Sequence, residues 1–231
     1  MGWEKCEYKG YKPKGRAGHV SFFHKDKLYC FGGYDSSHVV LGDLFSFDLS
    51  NENLNCEEFK CNKVVPDLQR RWSSGVFEET SEQLFLFGGW NEGGSLGDIC
   101  SFSFKNKIWK KVEKVAKPWS ARRWHSSVLF GESNSVLIFG GYNGNTEPLG
   151  DLMSFDLGSQ KMRSLETKGN KIKARCRHTA LKLDSKTMLI TSGLTGRNNV
   201  VKEMDLYHTD DGVDFLLFSF QLTFSHNFFH L

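Results

Sequence analysis

Val136-Leu137-Ile138-Phe139-Gly140-Gly141-Tyr142 is the stretch on which the fold turns. Four apolar residues without alternation describe a strand buried on both faces. The glycine pair that follows lets the chain turn with positive φ and lets neighbours approach the backbone closely. Working outward, the same phrase returns as Leu84-Phe85-Leu86-Phe87-Gly88-Gly89-Trp90, and again as an apolar run ending in Phe31-Gly32-Gly33-Tyr34. The doublets stand 56 and 52 residues apart. A fixed interval of this size signals stacked repeats.

Other landmarks keep the same phase. Upstream, an arginine is followed three residues later by histidine or serine: Arg16 and His19, Arg70 and Ser73, Arg122 and His125, Arg175 and His178. Downstream come Gly42-Asp43 with Phe47, Gly97-Asp98 with Phe102, and Gly150-Asp151 with Phe155. The fourth copy has decayed to Ser192-Gly193 followed by Val200 to Tyr207. Trp109 precedes Arg122 by thirteen residues and Trp3 precedes Arg16 by thirteen, with Leu54 and Met162 at the corresponding sites of repeats one and three. From Trp3 to Tyr207 this pattern resembles the kelch repeat, a propeller blade of about 50 residues.

The resemblance implies an all-β fold: a kelch-type β-propeller of four-stranded antiparallel blades. Four repeats are visible, at about 14–66, 67–119, 120–172 and 173–212. Kelch domains commonly have six blades, which leaves two alternatives open: a ring of four blades, or a ring of six of which two are absent from this chain, an incomplete ring then offering a route to oligomerisation. The residues of repeat one give the same architecture without the family: strands over His19–Phe23, Lys27–Phe31, Leu44–Asp48 and around Leu54–Lys60, with no helix. Within residues 1–13, Trp3 to Pro13 matches Trp109 to Pro118 and supplies an orphan outer strand, which in a four-bladed ring completes the last blade and so removes exposed edges. Residues 213–231 are an atypical apolar tail in which Phe218, Phe220, Leu222 and Phe224 alternate with polar residues, a strand pattern.

Several function classes are disfavoured. Net charge +3, with the two signs mixed along the chain, does not suggest nucleic acid; Lys110, Lys111, Lys114 and Lys117 read as a solvated outer strand and loop. The tail is interrupted by Gln221, Ser225, His226 and Asn227, against a membrane span. Met1-Gly2 has Cys6 where a myristoylation signal wants serine or threonine. Six cysteines without paired spacing, and no apolar segment over Met1 to Lys14, predict a reducing cytoplasmic or nuclear compartment.

No cofactor or metal is expected. His19, His125 and His178 occupy matching sites, which rotation about a propeller axis holds apart, whereas zinc ligands converge at about 2.0–2.1 Å. Each histidine is expected to bond loop backbone of the next blade. No nucleophile elbow, His-Glu-x-x-His or paired carboxylates appear, so the chain is read as no enzyme. Asp43, Asp98 and Asp151 read as turn residues bonding nearby backbone N–H groups. Two other readings are a metal-dependent propeller enzyme and an architectural piece of a multidomain kelch protein, such as a ubiquitin-ligase substrate adaptor.

The functional expectation is a protein or peptide partner on one loop face. The resemblance implies that binding uses the loops leading into the inner strands and those after the glycine doublets. The first set supplies Arg16, Arg71, Trp72, Arg123, Trp124 and Arg177; the second supplies Tyr34, Trp90 and Tyr142, with Leu194 breaking the series. Guanidinium groups grip carboxylates through paired hydrogen bonds, and indole and phenol rings make rigid contacts. Together they suit an acidic or carboxylate-bearing peptide. The first arginine of each loop has an equal claim to a structural role, bonding across to the adjacent blade.

Overall fold

The computed structural model describes residues 2, 5–50, 52, 54–63, 65–112, 119–130, 134–145, 147–167, 171–196 and 199–208, and the backbone of 217–221. Trp3, Lys114, Lys117, Leu222 and Phe224 lie outside the described residues. Among those described, every regular element is a β-strand.

Four blades follow one another along the chain. Blade one holds β1 (Tyr8–Gly10), β2 (Val20–His24), β3 (Lys27–Phe31), β4 (Leu44–Asp48) and β5 (Leu54–Glu58), in spatial order β1-β5-β4-β3-β2. Blade two holds β6 (Ser74–Glu78), β7 (Gln83–Phe87), β10 (Ile99–Ser103) and β11 (Ile108–Lys111), with a small hairpin of β8 (Trp90–Asn91) and β9 (Gly94–Ser95). Blade three is β12 (Ser126–Phe130), β13 (Ser135–Gly141), β14 (Leu149–Asp156) and β15 (Lys161–Leu165). Blade four is β16 (Thr179–Lys182), β17 (Thr187–Thr191), β20 (Glu203–His208) and β21 (Leu217–Gln221), with a second hairpin of β18 (Leu194–Thr195) and β19 (Asn199–Val200). The inner strands β2, β6, β12 and β16 touch in that order, giving a four-bladed β-propeller arc.

The unbroken apolar runs do what their pattern requires. On β7, Leu84 and Leu86 enter the layer shared with blade one, while Phe85 and Phe87 enter the layer shared with blade three. On β13, Val136 and Ile138 face blade two and Leu137 and Phe139 face blade four. All eight side chains are at most 4% exposed. Burial of each contributes about 1.5–3 kcal/mol. Trp109, 1% exposed, packs on Phe31 and Phe102 with ring centroids 4.9 Å apart in both cases.

The N-terminal segment does not close the last blade. β1 runs parallel to β5 at the outer edge of blade one, Tyr8 opposite Leu54 and Gly10 opposite Cys56. It is held there by Tyr8 against Phe47 at 5.0 Å and by the Tyr11 hydroxyl donating to Asp43 at 3.0 Å. Lys63 makes the same kind of parallel bridge to Ile108 in blade two. The segments before Arg16 and Arg70 thus lie along the outer strands of their own blades, and residues 8–10 correspond to such a linker rather than to the strand of Trp109. The outer place in blade four is taken by β21, antiparallel to β20, where the tail alternates.

Candidate functional site

The first arginine of each repeat fastens its own blade. Arg16 donates to both carboxylate oxygens of Asp43 at 2.8 Å and to the Gly32 carbonyl at 3.0 Å. Arg70 does the same with Asp98 and Gly88, and Arg122 with Asp151 and Gly140, while Arg175 donates to Asp205 Oδ2 at 2.6 Å and to the Ser192 carbonyl at 3.4 Å. The side chains of Arg16, Arg70, Arg122 and Arg175 are 5%, 0%, 0% and 1% exposed. Two expectations are corrected here. The aspartates are ion-pair partners, with arginine holding the carboxyls of Asp43 and Asp98 below the usual range against the opposing effect of burial. Arg16 belongs to this internal series, its guanidinium engaged by Asp43 and Gly32.

It is the arginine backbone that reaches across blades. The second glycine of each doublet donates to the next arginine's carbonyl: Gly33 to Arg70, Gly89 to Arg122, Gly141 to Arg175, at 2.8–2.9 Å. A Cβ on the first glycine would lie 2.6, 2.5 and 2.5 Å from those same carbonyl oxygens, and positive φ at Gly32, Gly88 and Gly140 adds a second reason for glycine.

One histidine also bonds across, but backwards. His178 Nε2 lies 2.7 Å from Ser126 Oγ of the preceding blade rather than reaching the next one. Burial, reinforced by Arg175, pushes the His178 imidazole down to about 4, and burial with Arg122 holds His125 far below its ordinary value. His19 is exposed. Among the described residues no three His, Cys, Asp or Glu side chains come together to hold a metal ion.

The position two residues after each of these arginines builds the candidate site. Gly18, Trp72, Trp124 and Arg177 all sit at left-handed φ, between 55° and 66°. That conformation is ordinary for glycine and costly for tryptophan or arginine. The four are joined in a backbone relay: Trp72 N–H donates to Gly18 C=O at 2.8 Å, Trp124 to Trp72 at 3.0 Å, and Arg177 to Trp124 at 2.9 Å. Left-handed backbone turns each side chain onto its neighbour. Trp72 meets Trp124 at 4.8 Å, Trp90 at 6.0 Å and Tyr34 at 5.7 Å, and Trp124 meets Tyr142 at 5.9 Å.

Guanidinium groups lie over these rings. Arg71 is 4.1–4.6 Å from the ring centroids of Tyr34, Trp72 and Trp90. Arg123 covers Trp124 and Tyr142 at 4.7 and 4.9 Å, and Arg177 covers Trp124 at 4.0 Å. Tyr34, Arg71, Trp72, Trp90, Arg123, Trp124, Tyr142 and Arg177 therefore form one continuous cluster, and of the nine expected residues only Arg16 stands apart. In repeat one Ala17 occupies the place of Arg71 and Arg123, so no guanidinium comes from there.

Among the described residues no carboxylate comes within ion-pair reach of Arg71, Arg123 or Arg177. Arg123 Nη1 donates to Ser95 Oγ at 2.7 Å, while Nε of Arg71 and Nε of Arg123 are buried without partners. Burial lowers the proton affinity of Arg123, and Arg177 and Arg71 push the same way. The cluster is an un-neutralised cationic surface with aromatic walls, able to take a planar or tetrahedral anion by paired N–H donation.

The family model described as Attractin/LZTR1 beta-propeller matches residues 1–217. Leucine-zipper-like transcriptional regulator 1 of Homo sapiens is 27% identical over 165 residues, 68% of this chain and 19% of that protein. Kelch domain-containing protein 10 of Homo sapiens is 30% identical over 166 residues, 67% of this chain and 35% of the relative. An N-(sulfonatooxy)prop-2-enimidothioate sulfolyase of Thlaspi arvense is 32% identical over 143 residues, 60% of this chain and 39% of its own. The chain thus spans well under half the length of these curated relatives. With its phased arginines, glycine doublets and stacked blades, it belongs to the Attractin/LZTR1 family of kelch-type β-propellers.

Proposed function

We propose that this propeller is a non-catalytic interaction module that captures an acidic or carboxylate-bearing peptide of a partner protein on its arginine and aromatic face. One observation carries the reading: three guanidinium groups without carboxylate partners are held against indole and phenol rings by backbone in a costly conformation. Conformational strain of this kind gathers where a surface is pre-organised for binding. Such a surface immobilises few free rotamers when it binds, so a few anchors supply the affinity. The cysteine spacing extends the proposal to a reducing compartment, cytoplasmic or nuclear.

Fluorescence anisotropy tests it with a labelled glutamate-rich peptide ending in a free carboxylate, and with its glutamine, C-amidated counterpart. The acidic peptide binds, its affinity drops with added salt, and Arg71→Ala with Arg123→Ala and Arg177→Ala removes the binding while the thermal midpoint stays. Equal binding of the neutral peptide, or retention by the triple variant, overturns the proposal.

A further inference from the structure

Blades two and three differ beside the Gly-Asp step, where the outermost strand and the linker to the next blade meet. In blade two this place is filled by the chain's own side chains. Trp119, 7% exposed, donates its indole N–H to the Gly97 carbonyl at 3.0 Å, and its ring lies 4.6 Å from the guanidinium carbon of Arg122. Lys111 brings its ammonium to 3.3 Å from Asp98. In blade three, Ile172 stands where Trp119 does, three residues before the next arginine. Ser164 stands where Lys111 does, opposite the second residue after the aspartate. Both replacements are shorter, and the space they vacate is a cavity of about 410 Å³, lined by Ser164 and Ile172 together with Gly150, Asp151, Leu165 and Lys171. That volume is ordinary for a small-ligand site.

Asp151 is the group left incomplete. Besides its arginine, Asp43 takes a second donor from the Tyr11 hydroxyl, and Asp98 takes one from Lys111. Among the described residues the Asp151 carboxylate has Arg122 alone, and its side chain is 34% exposed against 17% for Asp43 and 8% for Asp98. An ionised carboxylate has about four lone-pair sites, so acceptor capacity remains toward the cavity. Lys171 lines it from an exposed position, where solvent weakens its repulsion of another cation.

We propose that this cavity binds a small aromatic amine of the indolylalkylammonium class, with its ring N–H at the Gly150 carbonyl, its ring against Leu165 and Ile172, and its ammonium at Asp151. Such a ligand supplies the two groups that Trp119 and Lys111 supply in blade two. The site lies within the chain, between blades three and four, and shares no residue with the arginine and aromatic cluster.

Isothermal titration calorimetry tests this with tryptamine, with indole-3-propionate, in which a carboxylate replaces the ammonium, and with a peptide carrying an internal Trp-Lys pair. The expected results are one tryptamine per chain and at least tenfold weaker binding of the acid. Ser164→Lys, a change at an exposed position, brings an ammonium to Asp151 as Lys111 does to Asp98, and should weaken tryptamine at least tenfold. Ile172→Trp, which supplies the ring from the chain itself, should do the same. The variant lacking the guanidinium groups of Arg71, Arg123 and Arg177 should bind tryptamine as the parent does, which separates this site from the peptide face. Absence of binding at millimolar tryptamine, equal binding of the acid, or undiminished binding by Ser164→Lys overturns the proposal. So does tighter binding of the peptide than of tryptamine, which makes the cavity a protein-docking site.

Discussion

Replacing Trp124 by glycine and, separately, by alanine isolates the strain stored at the candidate site. Both changes delete the same ring, with its contacts to Trp72 and Tyr142 and the guanidinium groups of Arg123 and Arg177. They differ in backbone. Position 124 is held at φ 57° by bonds from its N–H to Trp72 and from Arg177 to its carbonyl. A left-handed residue costs roughly 1–2 kcal/mol when it carries a Cβ and little when it is glycine. Glycine's greater freedom in the unfolded chain takes back about 0.4–1 kcal/mol. The glycine variant is therefore expected to be more stable than the alanine variant by about 1 kcal/mol, a reversal of the usual order. For a chain of 231 residues this separates the two thermal midpoints by roughly 2–4 °C. Differential scanning calorimetry on matched samples reads it directly, and both variants lose the acidic peptide. If alanine equals or exceeds glycine, the left-handed backbone is not a constraint at this position and the strain argument fails.

Stability should also depend on pH through the inter-blade histidines. Because folding lowers the proton affinity of His178 from 6.5 to about 4, its contribution is whole above pH 6.5 and is lost as the pH falls through about 4. The loss is on the order of 3 kcal/mol. Urea unfolding across that range should flatten in His178→Asn, and an unflattened profile counts against the assignment. Asp205→Leu leaves Arg175 buried without its counter-ion and should cost about 3–5 kcal/mol. Glu7→Gln, which breaks an exposed pair with Lys5, should change the free energy of unfolding, read by urea denaturation, by at most about 1 kcal/mol.

Much of this fold was legible in the sequence because stacking imposes a period on it. The glycine doublets, the apolar middle strands and the phased arginines each mark one place in a blade, and β2, β3, β4 and β5 fall close to their expected limits. The ion pairs were missed although both partners were visible. An aspartate after glycine looks the same whether it caps a turn or faces an arginine, and here the partner lies 27, 28, 29 and 30 residues upstream in successive repeats. That drift of one residue per repeat, through loops of changing length, hides the pairing from a fixed-interval reading. The N-terminal segment was misplaced for a related reason: a thirteen-residue offset matched Trp3 to Trp109, but the direction of strand pairing is not written in spacing. As for the site, Arg71, Trp72, Arg123 and Trp124 stood out by type and phase. Their left-handed backbone had one sign in the sequence, Gly18 at the position where later repeats place bulky residues.

That glycine has a geometric consequence. A Cβ at Gly18 would lie 2.6 Å from Trp72 Cδ1, so the indole leans into space that repeat one leaves bare. Ala17 beside it leaves repeat one without a cation of its own. A crown with equal teeth would look alike from every approach, whereas this one has a gap, and the gap gives it a beginning and an end. An extended chain laid across it meets Tyr34 at one side and Arg177 at the other, so the two ways of threading that chain differ in energy.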